Sequence, residues 1–169
     1  IDGVLAALRA LDEGEPLDMI VFASGLGETR MAGQVFEDAE MVARLIRVNF
    51  LAPASLAAEI ARRMAARGKG IIVFVGSAAS FHALPFAAAY ASSKAGLAAF
   101  ADALDAAVRP RGVSVTVVSP GFIDTAAGRR TPGPKPFLLS PAQAAQRIIA
   151  AARAARPHLV TPAPFRALH

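Results

Sequence analysis

Four short apolar segments, separated by stretches long enough for helices, constrain the fold of this chain more than any other feature. Ile71–Val75 is apolar on both faces and rich in β-branched residues, which is typical of a strand buried on both sides. Alternation of such strands with helices favours one parallel sheet with helices on both faces. The predicted fold class is therefore α/β, a doubly wound parallel sheet. Its strands are predicted at Leu17–Ala23, Ile71–Val75, Val113–Val118 and His158–Thr161.

Helical spacing of apolar residues and end signals place the helices between these strands. A break is expected near Pro53, and the pair Ser140-Pro141 is a favourable start for the last helix. Residues 126–139 contain three prolines and two glycines, so they predict a mobile surface loop. The predicted helices cover residues 4–11, 36–50, 86–108 and 141–155. A further helical segment resumes after the break near Pro53 and ends at about residue 67.

Composition argues against several classes of protein. The chain of 169 residues has no cysteine, and its histidines are scattered at His82, His158 and His169, so neither a disulfide framework nor a metal site is expected. No apolar run reaches the length of a membrane span, and a cytoplasmic protein without membrane contact is expected. The net charge of +5 comes from dispersed arginines, with phenylalanines set in apolar runs, so no nucleic-acid partner is expected.

The stretch from Gly70 to Lys94 carries the most specific functional signal. Ser77 follows the strand Ile71–Val75, and the next helix carries Tyr90 and Lys94 four residues apart, which places them on one face. A nearby ammonium favours the phenolate of a tyrosine and is expected to lower its pKa from about 10 toward the working range. A serine hydroxyl beside them can hold a substrate carbonyl or hydroxyl. This layout predicts a proton-transfer site.

Other motifs are incomplete. The Gly-x-Ser-x-Gly elbow of hydrolases fails at both glycine positions around Ser77, and around Ser24 because position 22 is Phe. Gly25-Leu26-Gly27 resembles the start of a dinucleotide-binding fingerprint, but position 30 is Arg where the third glycine belongs. Taken alone, Tyr90 favours a partly buried helix tyrosine whose hydroxyl reaches the surface; Lys94, Ser77 and Asn49 in its company favour the functional interpretation instead.

The pattern Tyr90-Ala-Ser-Ser-Lys94, with Ser77 upstream, resembles the core motif of the short-chain dehydrogenase/reductase family. Asn49 resembles the asparagine that, in this family, stabilises a helix kink and a proton-relay water. Ser119-Pro-Gly-Phe-Ile-Asp-Thr125 resembles the turn that holds the nicotinamide end of the cofactor. By this resemblance the catalytic residues are Asn49, Ser77, Tyr90 and Lys94.

The resemblance also implies a cofactor, NAD(P)(H) with the choice between NAD and NADP undetermined. Tyr90 and Lys94 are expected to contact it together with Pro120, Gly121, the backbone of Ile123 and the hydroxyl of Thr125. Phe22-Ala23-Ser24-Gly25 stands where the family usually has Asn-Asn-Ala-Gly, so only the backbone role of Ser24 and Gly25 carries over.

The implied reaction moves a hydride between the nicotinamide and a carbonyl/alcohol pair, with Tyr90 as acid and base. The small-molecule substrate is expected between residues 78–86 and 122–139, against Phe81, His82 and Phe122, with Leu84 and Phe137 nearby. For His82, an exposed loop histidine is the alternative. A homodimer or homotetramer is expected, paired through the helices spanning about 39–67 and 86–108.

The family's first strand, its Thr-Gly-x-x-x-Gly-x-Gly phosphate loop and its second strand have no counterpart in the 169 residues. Residues 1–169 are therefore expected to form a single but partial Rossmann-like domain of a longer protein, with its amino-terminal strands absent. A short natural protein completed by a partner is one alternative. A non-catalytic or regulatory relative that keeps the fold for binding is another.

Overall fold

A four-stranded parallel sheet organises the chain in the computed structural model, which describes residues 1–27, 29, 33–130 and 133–168. The strands β1 (Met19–Phe22), β2 (Gly70–Val75), β3 (Val113–Pro120) and β4 (His158–Thr161) lie side by side in chain order. All three pairings are parallel. The helices are α1 (Asp2–Gly14), α2 (Ala39–Ile46), α3 (Ala52–Arg67), α4 (Ala88–Val108), α5 (Ala126–Arg130) and α6 (Pro141–Arg153), with short 3₁₀ turns at Ala78–Phe81, Arg109–Arg111 and Ala163–Leu168.

The main hydrophobic core lies between one face of the sheet and the helices α3 and α4. Alternate residues of a strand point to the same face, and the register that pairs Phe74 with Val117 aligns these faces across β2 and β3. Helix α6 contacts β2, β3 and β4, and its buried alanines lie outside this core, so helices cover both faces. The α/β doubly wound prediction is confirmed. The core includes Ile60 and Met64 of α3, Leu97 and Ala101 of α4, and Ile72, Phe74, Val115 and Val117 of the sheet.

The predicted helix break near Pro53 is wrong, because a continuous helix runs from Ala39 to Arg67. A π-helical segment, Arg47–Leu51, joins α2 to α3, and the backbone N–H of Ala52 donates to the carbonyl of Arg47, five residues earlier. Proline in a helix lacks an N–H donor and its ring clashes with the carbonyl of the preceding turn. The wider π turn just before Pro53 relieves that clash and lets the helix continue.

This continuous helix is the one in the described part of the chain that is long and apolar enough to cross a membrane, with a hydropathy of 1.3 over an 18-residue window. No apolar run of that length was predicted from the sequence. Only the length and the composition of this helix suggest a membrane span, and core helices of folded domains meet the same criterion. Ile60, Ala61 and Met64 of this helix pack in the core against the sheet.

Residues 126–139 contain more structure than the predicted mobile loop. Helix α5 begins this stretch, and the hydroxyl oxygen of Thr125 accepts a hydrogen bond of 3.0 Å from the Gly128 N–H, which stabilises the helix start. At its other end Leu139 forms an isolated parallel bridge with Ile123. The Leu139 N–H donates to the Phe122 carbonyl at 2.9 Å. The prediction was therefore wrong for both ends of the stretch, while residues 131 and 132 lie outside the described residues.

We predict that Thr116→Val stabilises the fold. Thr116 is completely buried in β3, and its hydroxyl oxygen has no hydrogen-bond partner. Replacing an unpaired buried hydroxyl by a methyl group of the same shape removes a desolvation penalty, which raises the free energy of unfolding by about 1 kcal/mol. Urea unfolding measures the change.

Thr161→Val is the matched control, because Thr161 is also buried and its hydroxyl accepts a hydrogen bond of 2.6 Å from Arg147. The same substitution there leaves a charged donor without its partner, and a loss of about 1.5–3 kcal/mol is expected. Equal shifts of the urea midpoint in the two variants would contradict the explanation.

Candidate active site

A cleft of about 640 Å³ lies at the carboxyl ends of the strands. In an open parallel sheet these ends share one edge, where the loops that follow the strands meet and ligands bind. Residues after β1, β2 and β3 line the cleft, together with α4 and the segment after β4. They include Gly25, Leu26, Gly27, Ser77, Tyr90, Lys94, Pro120, Gly121, Ile123, Thr125 and Phe165.

Helix α4 carries Tyr90 and Lys94 into this cleft on the face that their spacing predicted. The residue before the helix, Ala87, supplies no side-chain cap. Instead Glu37, buried in the segment before α2, accepts a hydrogen bond of 3.1 Å from the Ala89 N–H through its carboxylate. An acceptor at a helix start satisfies a donor that the helix itself cannot pair. Glu37 therefore fixes the end of α4 next to Tyr90, and no motif in the sequence marked it.

Lys94 is almost completely buried beneath the cleft. Its ammonium donates a hydrogen bond of 2.9 Å to the carbonyl of Val75, at the end of β2. Burial lowers the pKa of Lys94 to about 8, because desolvation disfavours the charged form. A Cβ atom at Gly25 would lie 3.3 Å from the Lys94 nitrogen, so the absence of a side chain at Gly25 leaves room around the ammonium.

Burial raises the pKa of Tyr90 above its ordinary value of 10, and a side-chain hydrogen bond with Ser77 offsets this in part. The expectation that Lys94 lowers the Tyr90 pKa is therefore not met in this structure. The physical reason is that the Lys94 ammonium is bonded to the Val75 carbonyl, while the half-buried phenol has lost much of its hydration. At neutral pH the Tyr90 hydroxyl is protonated.

Ser77 caps the short helical turn Ala78–Phe81 and faces Tyr90. Its hydroxyl oxygen accepts a hydrogen bond of 3.1 Å from the Ala79 N–H. The hydroxyl hydrogen is thus available to donate, and donation to the phenolic oxygen favours the phenolate, in agreement with the direction of its effect on the Tyr90 pKa. A carbonyl oxygen placed between the two hydroxyls could accept from both.

Asn49 is fully buried in the π-helical segment and does not belong to the described lining of the cleft. Its amide oxygen accepts from the Leu26 N–H at 2.8 Å, and its amide nitrogen donates to the Leu26 carbonyl at 2.9 Å. The same nitrogen lies 3.2 Å from the Ser93 hydroxyl, which donates to the Tyr90 carbonyl at 2.7 Å. Asn49 therefore ties the loop after β1 to the helix that carries Tyr90.

Most residues predicted to contact a cofactor lie along the cleft. Gly25, Pro120, Gly121, Ile123 and Thr125 line it, together with Tyr90 and Lys94. Ser24 does not appear in the described lining, and it is exposed. The neighbouring residues Leu26 and Gly27 line the cleft instead, where the sequence had suggested only an incomplete glycine motif.

The predicted substrate residues divide in a similar way. His82, Leu84 and Phe122 line the cleft, whereas Phe81 is outside the described lining and is 42% exposed. Phe137 is also outside the lining, although its ring contacts Phe165. Residues that no motif had marked complete this side of the cleft, namely Phe86, Pro134 and Phe165.

The chain belongs to the short-chain dehydrogenase family, since the family model described as short chain dehydrogenase matches residues 4–133. A protein named uncharacterized oxidoreductase from Myxococcus xanthus is 35% identical over 139 residues, which cover 82% of this chain and 54% of that protein. The cyclic-di-GMP-binding biofilm dispersal mediator protein of Escherichia coli is 35% identical over 123 residues, covering 71% of this chain and 49% of that protein.

Solved structures share the fold. A short-chain dehydrogenase from Sphingobium yanoikuyae in complex with NADPH superimposes with a TM-score of 0.83 at 25% sequence identity. The match covers 97% of this chain and 66% of that structure's chain. This chain thus spans about half the length of these two curated relatives, and nearly all of it has a counterpart in the solved structure.

We predict that Lys94→Met stabilises the folded chain and changes its pH dependence. Between pH 8 and 10.5 the unfolded chain binds a proton at Lys94 that the folded chain does not, so wild-type stability rises with pH across this window. Below pH 8 the buried ammonium destabilises the fold by up to about 3 kcal/mol, which is the free energy that corresponds to lowering the Lys94 pKa from 10.5 to about 8. Urea unfolding from pH 7 to 10.5 measures both effects.

The variant is expected to be more stable than wild type at pH 7. Its stability should lack the increase between pH 8 and 10.5 that Lys94 contributes. Lys69→Met is the control, because Lys69 is exposed at the surface and pairs with the exposed Asp18. A Lys94→Met protein with the same pH dependence as wild type would contradict the origin given for the Lys94 pKa.

Proposed function

We propose that residues 1–169 form a single partial Rossmann-like domain that carries the catalytic residues of an NAD(P)-dependent oxidoreductase. The reaction is hydride transfer between a nicotinamide cofactor and a carbonyl/alcohol substrate. The observation that carries this proposal is the meeting of Ser77, Tyr90 and Lys94 in one cleft at the carboxyl edge of the sheet. The Myxococcus relative named an oxidoreductase and the Sphingobium structure that contains NADPH support the reaction class and the cofactor.

The residues present fit the nicotinamide end of such a cofactor. Gly25 leaves the backbone open to the cleft, and the Lys94 ammonium has donors beyond the one bonded to Val75. The Thr125 hydroxyl oxygen accepts from Gly128, so its hydrogen remains to be donated to a carboxamide. When bound, the cofactor supplies or accepts the hydride. We assign Lys94, Thr125 and the backbone at Ile123 to holding it.

The phenol of Tyr90 is the proton donor in the reduction direction. Because burial raises its pKa, the hydroxyl keeps its proton at neutral pH and can deliver it to the carbonyl oxygen as that oxygen becomes negative. Ser77 orients and polarises the same oxygen. Oxidation of an alcohol needs the phenolate as base, so the oxidation rate is expected to rise with pH. Asn49 acts as a positioning residue through Leu26 and Ser93.

A second candidate is a binding domain that holds a ligand in the cleft without turnover. The name of the Escherichia coli relative describes that protein as cyclic-di-GMP-binding, and this name supports a ligand-binding domain as the second candidate. The preserved combination of Tyr90, Lys94 and Ser77 favours the oxidoreductase. Assembly as a homodimer or homotetramer, which the family resemblance implies, and a cytoplasmic location, which is expected from composition, belong to the same proposal.

We predict that Tyr90→Phe in the full-length protein lowers kcat for carbonyl reduction by about 100-fold or more, because it removes the proton donor and keeps the ring. The oxidation of NADPH and NADH with a panel of aldehydes and ketones measures turnover. Titration of each cofactor measures binding separately, and binding is expected to change little.

Ser92→Ala is the matched control, since Ser92 is exposed on the same helix and its hydroxyl donates only to the Ala89 carbonyl. It is expected to retain activity close to wild type. Full turnover by Tyr90→Phe would refute the role of the phenol. Ligand binding without turnover by the wild-type protein would favour the second candidate.

A further inference from the structure

Three phenylalanine rings from separate parts of the chain form a row beside the cleft. We call Phe122, Phe137 and Phe165 the ring row. Phe165 is its middle member, with ring centroids 6.1 Å from Phe122 and 6.0 Å from Phe137. Both pairs are edge-to-face, an arrangement that stabilises aromatic contacts beyond the burial of their area. Phe122 and Phe165 also line the cleft, so the row has one side toward the candidate active site.

The position of Phe165 is fixed by the backbone after β3. A Cβ atom at Gly121 would lie 2.3 Å from the Phe165 ring, so this ring lies directly on the glycine. The Gly121 N–H donates at 2.8 Å to the carbonyl of Thr161, at the end of β4, which holds the two strand ends together. Phe165 therefore contacts the same turn that we assign to the nicotinamide end of the cofactor.

Phe137 is held in an unusual backbone conformation next to Phe165. Its φ of 56° lies in the left-handed region, which residues with a side chain rarely adopt. The adjacent bridge stabilises this conformation, because Leu139 donates to the Phe122 carbonyl and accepts from the Asp124 N–H, both at 2.9 Å. Strained residues of this kind are concentrated at functional sites. Here the strained backbone places a ring against the middle of the row.

The lining near the ring row carries little charge. Lys94 is the one lysine or arginine in the described lining, which contains no aspartate or glutamate, and its ammonium is bonded to the Val75 carbonyl. A charged substrate group on this side would lose its hydration without gaining a counter-ion from the described lining. The apolar residues on this side are Leu84, Phe86, Phe122, Pro134 and Phe165.

We infer that Phe165 determines substrate specificity by presenting a fixed aromatic surface to an uncharged carbonyl compound that bears an aromatic group on its carbonyl carbon. This inference rests on the proposed oxidoreductase function and adds the substrate class to it. The carbonyl oxygen lies toward Ser77 and Tyr90, and the aromatic group packs against Phe165 and Phe122.

The test uses the full-length protein with NADPH or NADH and three substrates: acetophenone, butan-2-one and pyruvate. Wild type is expected to have the highest kcat/KM for acetophenone and the lowest for pyruvate. Phe165→Ala is expected to lower kcat/KM for acetophenone about 10-fold and to change that for butan-2-one less than threefold. Isothermal titration of the protein with acetophenone measures binding independently of turnover.

Three further variants separate selectivity from folding. Phe165→Leu keeps most of the apolar volume, so a folded Leu variant with reduced acetophenone preference supports the inference even where Phe165→Ala unfolds. Gly121→Ala should displace the ring and reduce the same preference, and adding it to Phe165→Ala should cause no further loss of preference. Phe36→Ala removes an exposed ring outside the described lining and should leave the preference unchanged.

The outcomes distinguish this inference from the proposed function. Equal losses for acetophenone and butan-2-one in a folded Phe165→Leu protein would overturn the inference and leave the oxidoreductase function standing. A wild-type preference for pyruvate over acetophenone would also overturn the inference and leave the oxidoreductase function standing. Absence of Tyr90-dependent turnover of any carbonyl compound would overturn both.

Discussion

Buried in the π-helical segment, the Asn49 amide bonds to both backbone groups of Leu26 and to the Ser93 hydroxyl. Ser93 in turn bonds to the Tyr90 carbonyl, so one side chain connects the loop after β1 with the helix that carries the proposed proton donor. A buried amide that lost any of these partners would leave unpaired polar groups away from water. The relative position of the β1 loop and α4, and with it the shape of the cleft, therefore depends on Asn49.

Burial shifts the pKa values of Tyr90 and Lys94 in opposite directions, and in both residues it favours the neutral form. It keeps Tyr90 protonated, and it favours the neutral amine of Lys94, whose pKa falls to about 8. Both effects come from the loss of hydration, and where water is excluded the hydrogen-bond donors proposed to face a substrate oxygen stabilise its developing charge more strongly. The desolvated Lys94 ammonium, bonded to the neutral Val75 carbonyl, destabilises the fold, and the apolar core of β2, β3, α3 and α4 offsets this. Such local destabilisation is characteristic of functional sites.

Features encoded by local sequence patterns could be predicted, and features made by distant contacts could not. The spacing of Tyr90 and Lys94 on one helical face and the order of the strands follow from short-range periodicity. The continuation of the helix through Pro53 depends on a π turn that propensity alone does not reveal. The cap that Glu37 gives α4 joins residues 52 positions apart, and Phe165 reaches the cleft only because β4 lies beside β3. Phe81 was predicted to line the pocket as an apolar residue of the 78–86 loop, yet its ring lies outside the described lining.

The residues proposed for proton transfer and the ring row are attached to different parts of the sheet, and this separation has a consequence for the proposed function. Ser77, Tyr90 and Lys94 are positioned by the end of β2 and by α4, through bonds to Val75 and Ser93. Phe122 and Phe165 are positioned by the segments after β3 and β4. Groups without shared partners contribute nearly independently to stability and binding. Changes in the ring row can therefore alter the substrate while the proton-transfer geometry persists, with Gly121 as the point where the row meets the proposed cofactor turn.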